Sequence, residues 1–370
     1  MSIVKAGIVG CGNISSIYFQ NCTTFDHLAI VACADLDLRR AQTQGNKYNI
    51  PKACTVDELL QDQEIDLVIN LTIPKAHAEV CLKALEAGKH VYTEKPLVVT
   101  MEEGQQILEK AKEKGLLVGS APDTFLGAGI QTAIQVIEKG EIGTPIGASA
   151  FMIGRGHEHW HPDPAFYYDV GGGPMFDMGP YYLTALTALL GPMIRLSGST
   201  RISYPERTIL SQPKAGTKLE VKTPTHISGV IDFASGAIGT ITTSFDAFGR
   251  SSLPPIEIYG SEGTLLVPDP NTFHGPVKIR KRDEHEFVEV PLTHHYDENS
   301  RGIGVAEMAE AIIYGEKHRA SGEMGYHVLE AMHGFHIASS TGSHYQMKST
   351  CHKPDPLPAG HRFPHVETKI

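Results

Sequence analysis

The sequence predicts two domains: an α/β domain on a parallel, doubly wound sheet, and an α+β domain with a large, mostly antiparallel, open-faced sheet. Three observations carry this. Short β-branched runs alternate with helically spaced segments through residues 3–119. The first run ends in a glycine turn, Gly10-Cys11-Gly12. After Pro122 the alternation stops, and a long series of strand-like runs follows, broken by glycines and prolines. At 370 residues the chain exceeds the roughly 250–300 residues at which single cores stop growing, so two cores are expected. The boundaries read as 1–122 and 123–350, with an extended, proline-rich arm over 351–370.

Composition narrows the function classes. The chain is 41% hydrophobic and 20% charged, with no apolar run long enough to span a bilayer. The N-terminus enters a strand-like run without the marks of a secretory signal, so the expected compartment is the cytoplasm. Six cysteines form no CxxC pair, which favours buried thiols over disulfides or a zinc knuckle. A net charge of −10 argues against nucleic acid as a partner, because phosphates want a basic surface.

In chain order, the strand at 3–10 leads through Gly10, Gly12, Asn13 and Ile14 into helical spacing at Ser15. A dinucleotide pyrophosphate needs this arrangement: Gly10 for the tight turn, Gly12 for close backbone approach, and open N–H groups at the helix start. The third glycine of that fingerprint is replaced by Ser15. A second strand, Ala29–Ala34, ends in Asp35, 25 positions after Gly10. An acid there accepts both adenosine ribose hydroxyls and repels a 2′-phosphate, so NAD is expected over NADP. Arg39 and Arg40 follow closely, either as a 2′-phosphate clamp or as solvated charges on an exposed helix. Helices at 36–46, 57–61, 76–87 and 101–114 then alternate with strands Ile65–Asn70, Lys89–Thr93 and Leu116–Gly119. Two strand ends carry polar punctuation on the ligand-binding edge: Leu71-Thr72-Ile73-Pro74 with His77, and Thr93-Glu94-Lys95-Pro96.

The glycine turn, Thr72…Pro74…His77 and Glu94-Lys95-Pro96 together resemble the glucose–fructose oxidoreductase, inositol dehydrogenase and rhizopine-catabolism (Gfo/Idh/MocA) family. The resemblance covers nearly the whole chain and implies a Rossmann first domain whose Thr72, Pro74, His77, Glu94, Lys95 and Pro96 line the cofactor site. It places Lys95 near the nicotinamide and the substrate hydroxyl. The physical reason is independent of the name: a positively charged nicotinamide disfavours the ammonium form, and a cation beside the reacting oxygen stabilises a developing alkoxide.

The second domain reads as a helix over 124–139, a strand over Thr144–Gly154, and a helix over 174–190. Strands follow near 193–202, 225–233, 237–246, 255–260, 263–267, 277–281 and 286–290, then helices over 303–318 and 325–342. The resemblance implies that the open sheet face associates subunits, so a homo-oligomer is expected. Residues 155–169 hold the only tryptophan and an unusual concentration of histidine and aromatic residues. Rings that cover C–H faces beside hydrogen-bonding groups suit a polyol or glycoside, so Arg155, His157, His159, Trp160 and Tyr168 are candidate substrate residues. His157, His159 and His161 alternate and would share one face of a strand, which raises a metal reading. Gly156 and Pro162 oppose a regular strand and no HExxH or cysteine pattern accompanies the histidines, so no metal is assigned. His327 opens a helix that the resemblance implies lies near the cleft.

The triple glycine Gly171-Gly172-Gly173 enters a helix on which Asp177 and Tyr181 are four apart and share a face. The glycines are expected to let the backbone pass close to a substrate and to aim that face at the nicotinamide. Many members of the resembling family carry an aspartate and, four residues later, a histidine; here the later position is Tyr181. An unperturbed phenol titrates at about pH 10 and needs a neighbouring cation to serve as a base, a part open to Lys95. Either Tyr181 takes the proton or it positions the substrate while Lys95 relays it. The expected activity is NAD-dependent oxidation of a secondary hydroxyl of a sugar, glycoside or cyclic polyol, with a keto-glycoside as one product. The alternatives are an inositol, dihydrodiol or imine oxidoreductase on the same scaffold, or a non-catalytic NAD-binding regulator.

Overall fold

The computed structural model describes residues 2–364; residues 365–370, the end of the expected arm, lie outside the described residues. The chain divides into two compact units. The first holds the residues up to Gly127, His294–Leu329 and those from Leu357 onward; the second holds Ala128–Thr293 and Glu330–Pro356. Among the described residues, no helix is long and apolar enough to cross a membrane.

In the first unit, strands β1 (Val4–Val9), β2 (Leu28–Ala34), β3 (Lys52–Cys54), β4 (Leu67–Asn70), β5 (His90–Thr93) and β6 (Val118–Ser120) alternate with five helices. These are α1 (Ser15–Cys22), α2 (Leu38–Tyr48), α3 (Val56–Gln61), α4 (Pro74–Glu86) and α5 (Met101–Lys114). The sheet order is β3-β2-β1-β4-β5-β6, every pair parallel. Helices cover both faces, which is why β1 and β4 are buried along nearly their whole length. Helix starts follow side-chain chemistry: Thr55 with Glu58 and Thr100 with Glu103 form capping boxes, and Asp37 caps α2. The three-residue β3 escaped the sequence reading because it is a short, half-exposed edge strand.

The expected boundary at residue 122 requires correction. Helix Ile303–Tyr314, IGVAEMAEAIIY, is apolar almost all round and needs a buried seat, which it finds against α1, β1 and β6. Buried Asp123 caps its start, Oδ2 accepting the Gly302 and Gly304 N–H groups at 2.8 and 3.0 Å. Ser120 N–H donates to the Ala320 carbonyl at 2.9 Å, which ties the returning chain to β6. The helix stops at Tyr314, short of the expected 318, because Gly315 adopts a left-handed conformation.

The second unit contains α6 (Ala128–Glu138), β7 (Pro145–Ile153), α7 (Gly173–Asp177), α8 (Gly179–Leu190), β8 (Met193–Arg201), β9 (Glu206–Thr208) and β10 (Lys218–Glu220). It continues with β11 (His226–Phe233), β12 (Ile238–Ser244), β13 (Ile256–Gly260), β14 (Gly263–Val267), β15 (Val277–Lys281), β16 (Val288–Val290) and β17 (Tyr345–Gln346). Nine strands form one sheet in the order β16-β15-β14-β13-β7-β12-β11-β8-β17, antiparallel except for β7 beside β12. Helices α6 and α7 and the last turns of helix Gly322–Thr341 cover one face, Phe335 seating on Gly198 and Gly229. The other face presents Val230, Ile238 and Tyr259 to the surface.

Strands β9 and β10 pair only with each other, in an excursion between β8 and β11. Beneath them lies a small core of Tyr168, Ile209, Leu219, Val221 and Phe245. This corrects the expectation that Tyr168 binds substrate: its side chain is fully buried. The Tyr168 hydroxyl donates to Glu158 Oε2 and accepts the His157 N–H at 3.1 Å. Arg207 completes the network, with Nη1 2.7 Å from Glu158 Oε1 and Nη2 donating to Asp246 and to the Phe245 carbonyl. Burial pushes the Glu158 carboxyl up, but the Tyr168 hydroxyl and the Arg207 guanidinium outweigh it and hold the group below the ordinary carboxylate range.

Two stability outcomes are expected. Tyr168→Phe leaves a buried carboxylate short of a donor, at a cost of about 1–3 kcal/mol, seen as a lower thermal midpoint; an unchanged midpoint would contradict the network. Burial pushes the Asp123 carboxyl from 3.8 up to about 6. A raised acid contributes its stability fully below the unfolded value and loses it as pH rises through the folded one. Asp123→Asn, which keeps the accepting oxygen, is therefore expected to gain thermal midpoint over the parent as pH goes from 4 to 7. A constant difference across that window would contradict the assignment.

Candidate functional site

Residues singled out in the first unit gather along the carboxyl edge of its sheet, where the strand order reverses between β1 and β4. Gly10 has φ +99°, and a Cβ there would lie 2.7 Å from the Leu71 carbonyl, so the turn admits only glycine. A Cβ on Gly12 would meet nothing within 4 Å. Packing leaves Gly12 unconstrained, and the space above it is open. Ser15, at the third fingerprint position, is buried and its Oγ donates to the Gly12 carbonyl at 2.6 Å, closing the turn from below. Asn13 and Ile14 are exposed at the start of α1, which carries no side-chain cap.

Asp35, its side chain 9% exposed, holds this turn to β2. Oδ2 accepts the Cys11 N–H and Oδ1 the Asp37 N–H, each at 2.9 Å. Each carboxylate oxygen retains a further lone pair for a ligand. Arg40 Nη1 lies 3.8 Å from Asp35 Oδ1, whereas Arg39 turns to Asp37. Two residues on this edge were not singled out by sequence: Leu36, 100% exposed directly after Asp35, and Ile73, 68% exposed directly after Thr72. Their signal is an apolar residue immediately beyond a polar strand end.

The turns after β4 and β5 are cross-tied. Thr72 donates from N and Oγ1 to Asn70 Oδ1 at 3.2 and 2.7 Å, and buried Asn70 donates to the His77 carbonyl at 3.1 Å. The His77 ring lies between the Pro96 carbonyl (2.8 Å) and the Thr72 carbonyl (3.1 Å). Burial lowers its basicity. The expectation of cofactor contact from His77 is corrected: the ring is fully buried and acts by joining two turns. Pro96 is likewise buried and Pro74 half-buried at the first turn of α4. Glu94 accepts the Tyr18 hydroxyl at 2.9 Å and the Lys95 N–H at 2.8 Å, which fixes the backbone from which half-buried Lys95 projects.

In the second unit the expected helix over 174–190 is broken at Met178 into α7 and α8. Pro180 has no N–H to give the Phe176 carbonyl one turn earlier, so the helix restarts. Asp177 therefore ends α7 while Tyr181 lies in the first turn of α8, and their spacing no longer sets a continuous face. The triple glycine also has a reason of its own: Gly173, at φ +82°, would drive a Cβ to 2.7 Å from the Pro224 carbonyl. Its packing role is to let α7 sit against the segment that precedes β11.

Residues 155–169 form short 3-10 turns at His157–His159 and Ala165–Tyr168, so the alternating histidines do not share a strand face. His157 Nε2 lies 3.3 Å from Asp177 Oδ2, His159 Nδ1 lies 2.6 Å from the Gly156 carbonyl, and His161 Nδ1 accepts the Asp163 N–H at 3.1 Å. Among the described residues no three His, Cys, Asp or Glu side chains gather as a metal site requires. Trp160 is exposed, with its ring 5.2 Å from His161 and 5.5 Å from His157. Arg155 is exposed and bridges through its backbone to Asp246. His327 is fully buried in helix Gly322–Thr341 of the first unit's share.

Residues 4–121 match the model of an oxidoreductase family with an NAD-binding Rossmann fold, and residues 130–266 match the GFO/IDH/MocA C-terminal domain. Myo-inositol 2-dehydrogenase of Thermotoga maritima is 24% identical over 266 residues, 71% of this chain and 75% of that protein. A scyllo-inositol 2-dehydrogenase (NAD+) of Bacillus subtilis is 28% identical over 268 residues, 71% and 73% of the two chains. The solved structure of a levoglucosan dehydrogenase in complex with NADH and L-sorbose superposes with a TM-score of 0.81 at 20% identity, covering 94% of this chain and all (100%) of that one. Both halves of the chain thus match one family's two domains, and the chain belongs to the Gfo/Idh/MocA oxidoreductases, with an NAD-binding Rossmann domain.

Proposed function

We propose that this chain is an NAD-dependent dehydrogenase that oxidises a secondary hydroxyl of a sugar, glycoside or cyclic polyol to the ketone. The observation that carries the reading is the single sheet edge on which the Gly10 turn, the open space at Gly12, Asp35, Thr72 and Lys95 are gathered. The residues fit a dinucleotide. The uncapped start of α1 meets the pyrophosphate, Asp35 accepts the ribose hydroxyls, and Leu36 and Ile73 offer apolar surface to the adenine. When bound, NAD supplies the hydride acceptor. Asp177 orients the reacting hydroxyl, Tyr181 with Lys95 handles its proton, and the Lys95 ammonium stabilises developing negative charge on oxygen.

The loop at 155–169 supplies the remaining substrate contacts: exposed Trp160 covers a C–H face, and Arg155 and His159 serve neighbouring hydroxyls. The relatives' names, inositol and levoglucosan dehydrogenases, support a ring substrate. The aromatic loop favours a ring that bears an aglycone or second unit, which would give a keto-glycoside. The exposed sheet face that carries Val230, Ile238 and Tyr259 is proposed as the contact between copies of the chain.

Three outcomes are expected. Asp35→Ala weakens NAD binding at least about tenfold in fluorescence titration while NADP binding is spared; equal losses would reduce Asp35 to a support of the turn. Lys95→Ala binds NAD normally yet loses about 100-fold or more in kcat, and undiminished turnover would remove Lys95 from the chemistry. In a panel read by NADH absorbance, glucosides outrun inositols. Turnover of inositols with none of any glucoside would overturn the keto-glycoside reading.

A further inference from the structure

His157 carries a feature that a substrate-binding side chain does not need. Its ring is clamped: Tyr167 stacks on it with centroids 3.7 Å apart and planes 12° from parallel, and Phe245 meets it edge-on at 4.7 Å. Its backbone N–H is held by the Tyr168 hydroxyl, itself fixed by Glu158 in the Arg207 network. Nδ1 is buried and has no hydrogen-bond partner. One polar exit remains, Nε2, and it lies 3.3 Å from Asp177 Oδ2, the two side chains being 13% and 14% exposed.

We propose that His157 is a positioning residue for the reaction, acting through Asp177. The inference rests on the reading of Asp177 as the group that orients the reacting hydroxyl. A neutral imidazole confined by aromatic walls can present its proton in only one direction, and here that direction is the carboxylate. Donation from Nε2–H engages Oδ2 and holds the carboxylate in one rotamer, the orientation in which it addresses the substrate. The buried salt network of Glu158, Arg207 and Asp246 is thereby connected to the reacting hydroxyl: it fixes Tyr168, Tyr168 fixes the His157 backbone, and His157 fixes Asp177. The charged and titratable groups around the ring are Asp177 from α7, Tyr167 and Tyr168 from the 165–168 turn, and His161 and Glu158 from its own loop. Arg207 lies behind Glu158 and is neutralised by Glu158 and Asp246.

The test combines NMR with a kinetic cycle on the full-length protein. Nitrogen NMR of the His157 imidazole, without substrate, reports which ring nitrogen carries the proton and how fast that proton exchanges with water. In the parent the proton is expected on Nε2, exchanging at least about tenfold more slowly than in Asp177→Ala; a proton on Nδ1, or exchange unchanged in Asp177→Ala, overturns the pairing. NAD-linked turnover is then measured for His157→Gln, Asp177→Asn and the double variant, with the glucoside or inositol that the parent oxidises fastest. His157→Gln is expected to lose about tenfold or more in kcat with NAD affinity unchanged. His157→Asn, whose shorter amide falls short of the carboxylate, should lose more, and the double variant should be no slower than Asp177→Asn alone. Losses that multiply in the double variant, or full turnover in His157→Gln, overturn the proposal. Full turnover in Asp177→Asn instead refutes the reading of Asp177 itself, while the imidazole NMR continues to judge the pairing independently.

Discussion

The ends of parallel strands have to be tied to one another, because each strand leaves its neighbours' edge through a turn whose N–H and carbonyl groups need partners. In the first unit Asp35 meets this constraint. Its carboxylate takes the Cys11 N–H from the glycine turn and the Asp37 N–H from its own, so the end of β2 and the end of β1 form one object. Asn70 does the same within the turn after β4, and His77 joins that turn to the one after β5. The edge that receives a dinucleotide is thus prepared by side chains whose first duty is to backbone groups. Asp35 keeps lone pairs beyond these two bonds, whereas the His77 ring is fully buried between two carbonyls.

The second unit solves a related problem with charge. A loop rich in rings and short of regular structure has little backbone pairing to hold it, and the Glu158–Arg207–Asp246 network supplies the anchor. Removing two carboxylates and a guanidinium from water is costly unless they are paired; the Tyr168 hydroxyl and the Phe245 carbonyl add partners to the ion pairs, while Arg207 Nε is buried without one among the described residues. The aromatic residues then divide by exposure. Tyr168 and Phe245 belong to the core, Tyr167 clamps His157, and Trp160 and Phe166 remain exposed.

Much of this was legible in the sequence because the first unit obeys local rules. β-branched runs, capping boxes and glycine turns each mark their own element, and the strand ends with polar residues fall where the sheet places them. The edge strand β3 and the β9–β10 hairpin were not legible, because three residues carry no measurable period and their pairing is tertiary. The seat of helix Ile303–Tyr314 was also hidden: its apolar surface announced burial without saying where. Asp177 and Tyr181 stand four apart in the sequence, but Pro180 breaks the helix between them, a stop that apolar spacing alone does not show. Tyr168 was misassigned because composition cannot separate an aromatic that faces a ligand from one that closes a core. The contact of His157 with Asp177 joins a loop to a helix end 20 residues later, a pairing that only the fold brings about.

The central claim is that the prepared edge binds NAD and that the chemistry is oxidation of a ring hydroxyl. It is tested most directly by a crystal structure of the protein with NAD and a glucoside or inositol. The account expects the adenosine ribose hydroxyls on the Asp35 carboxylate, the pyrophosphate over Gly12 and the start of α1, and a ring hydroxyl on Asp177 and Tyr181. A cofactor bound away from Asp35, or a sugar seated without contact to Asp177 and Tyr181, would contradict it.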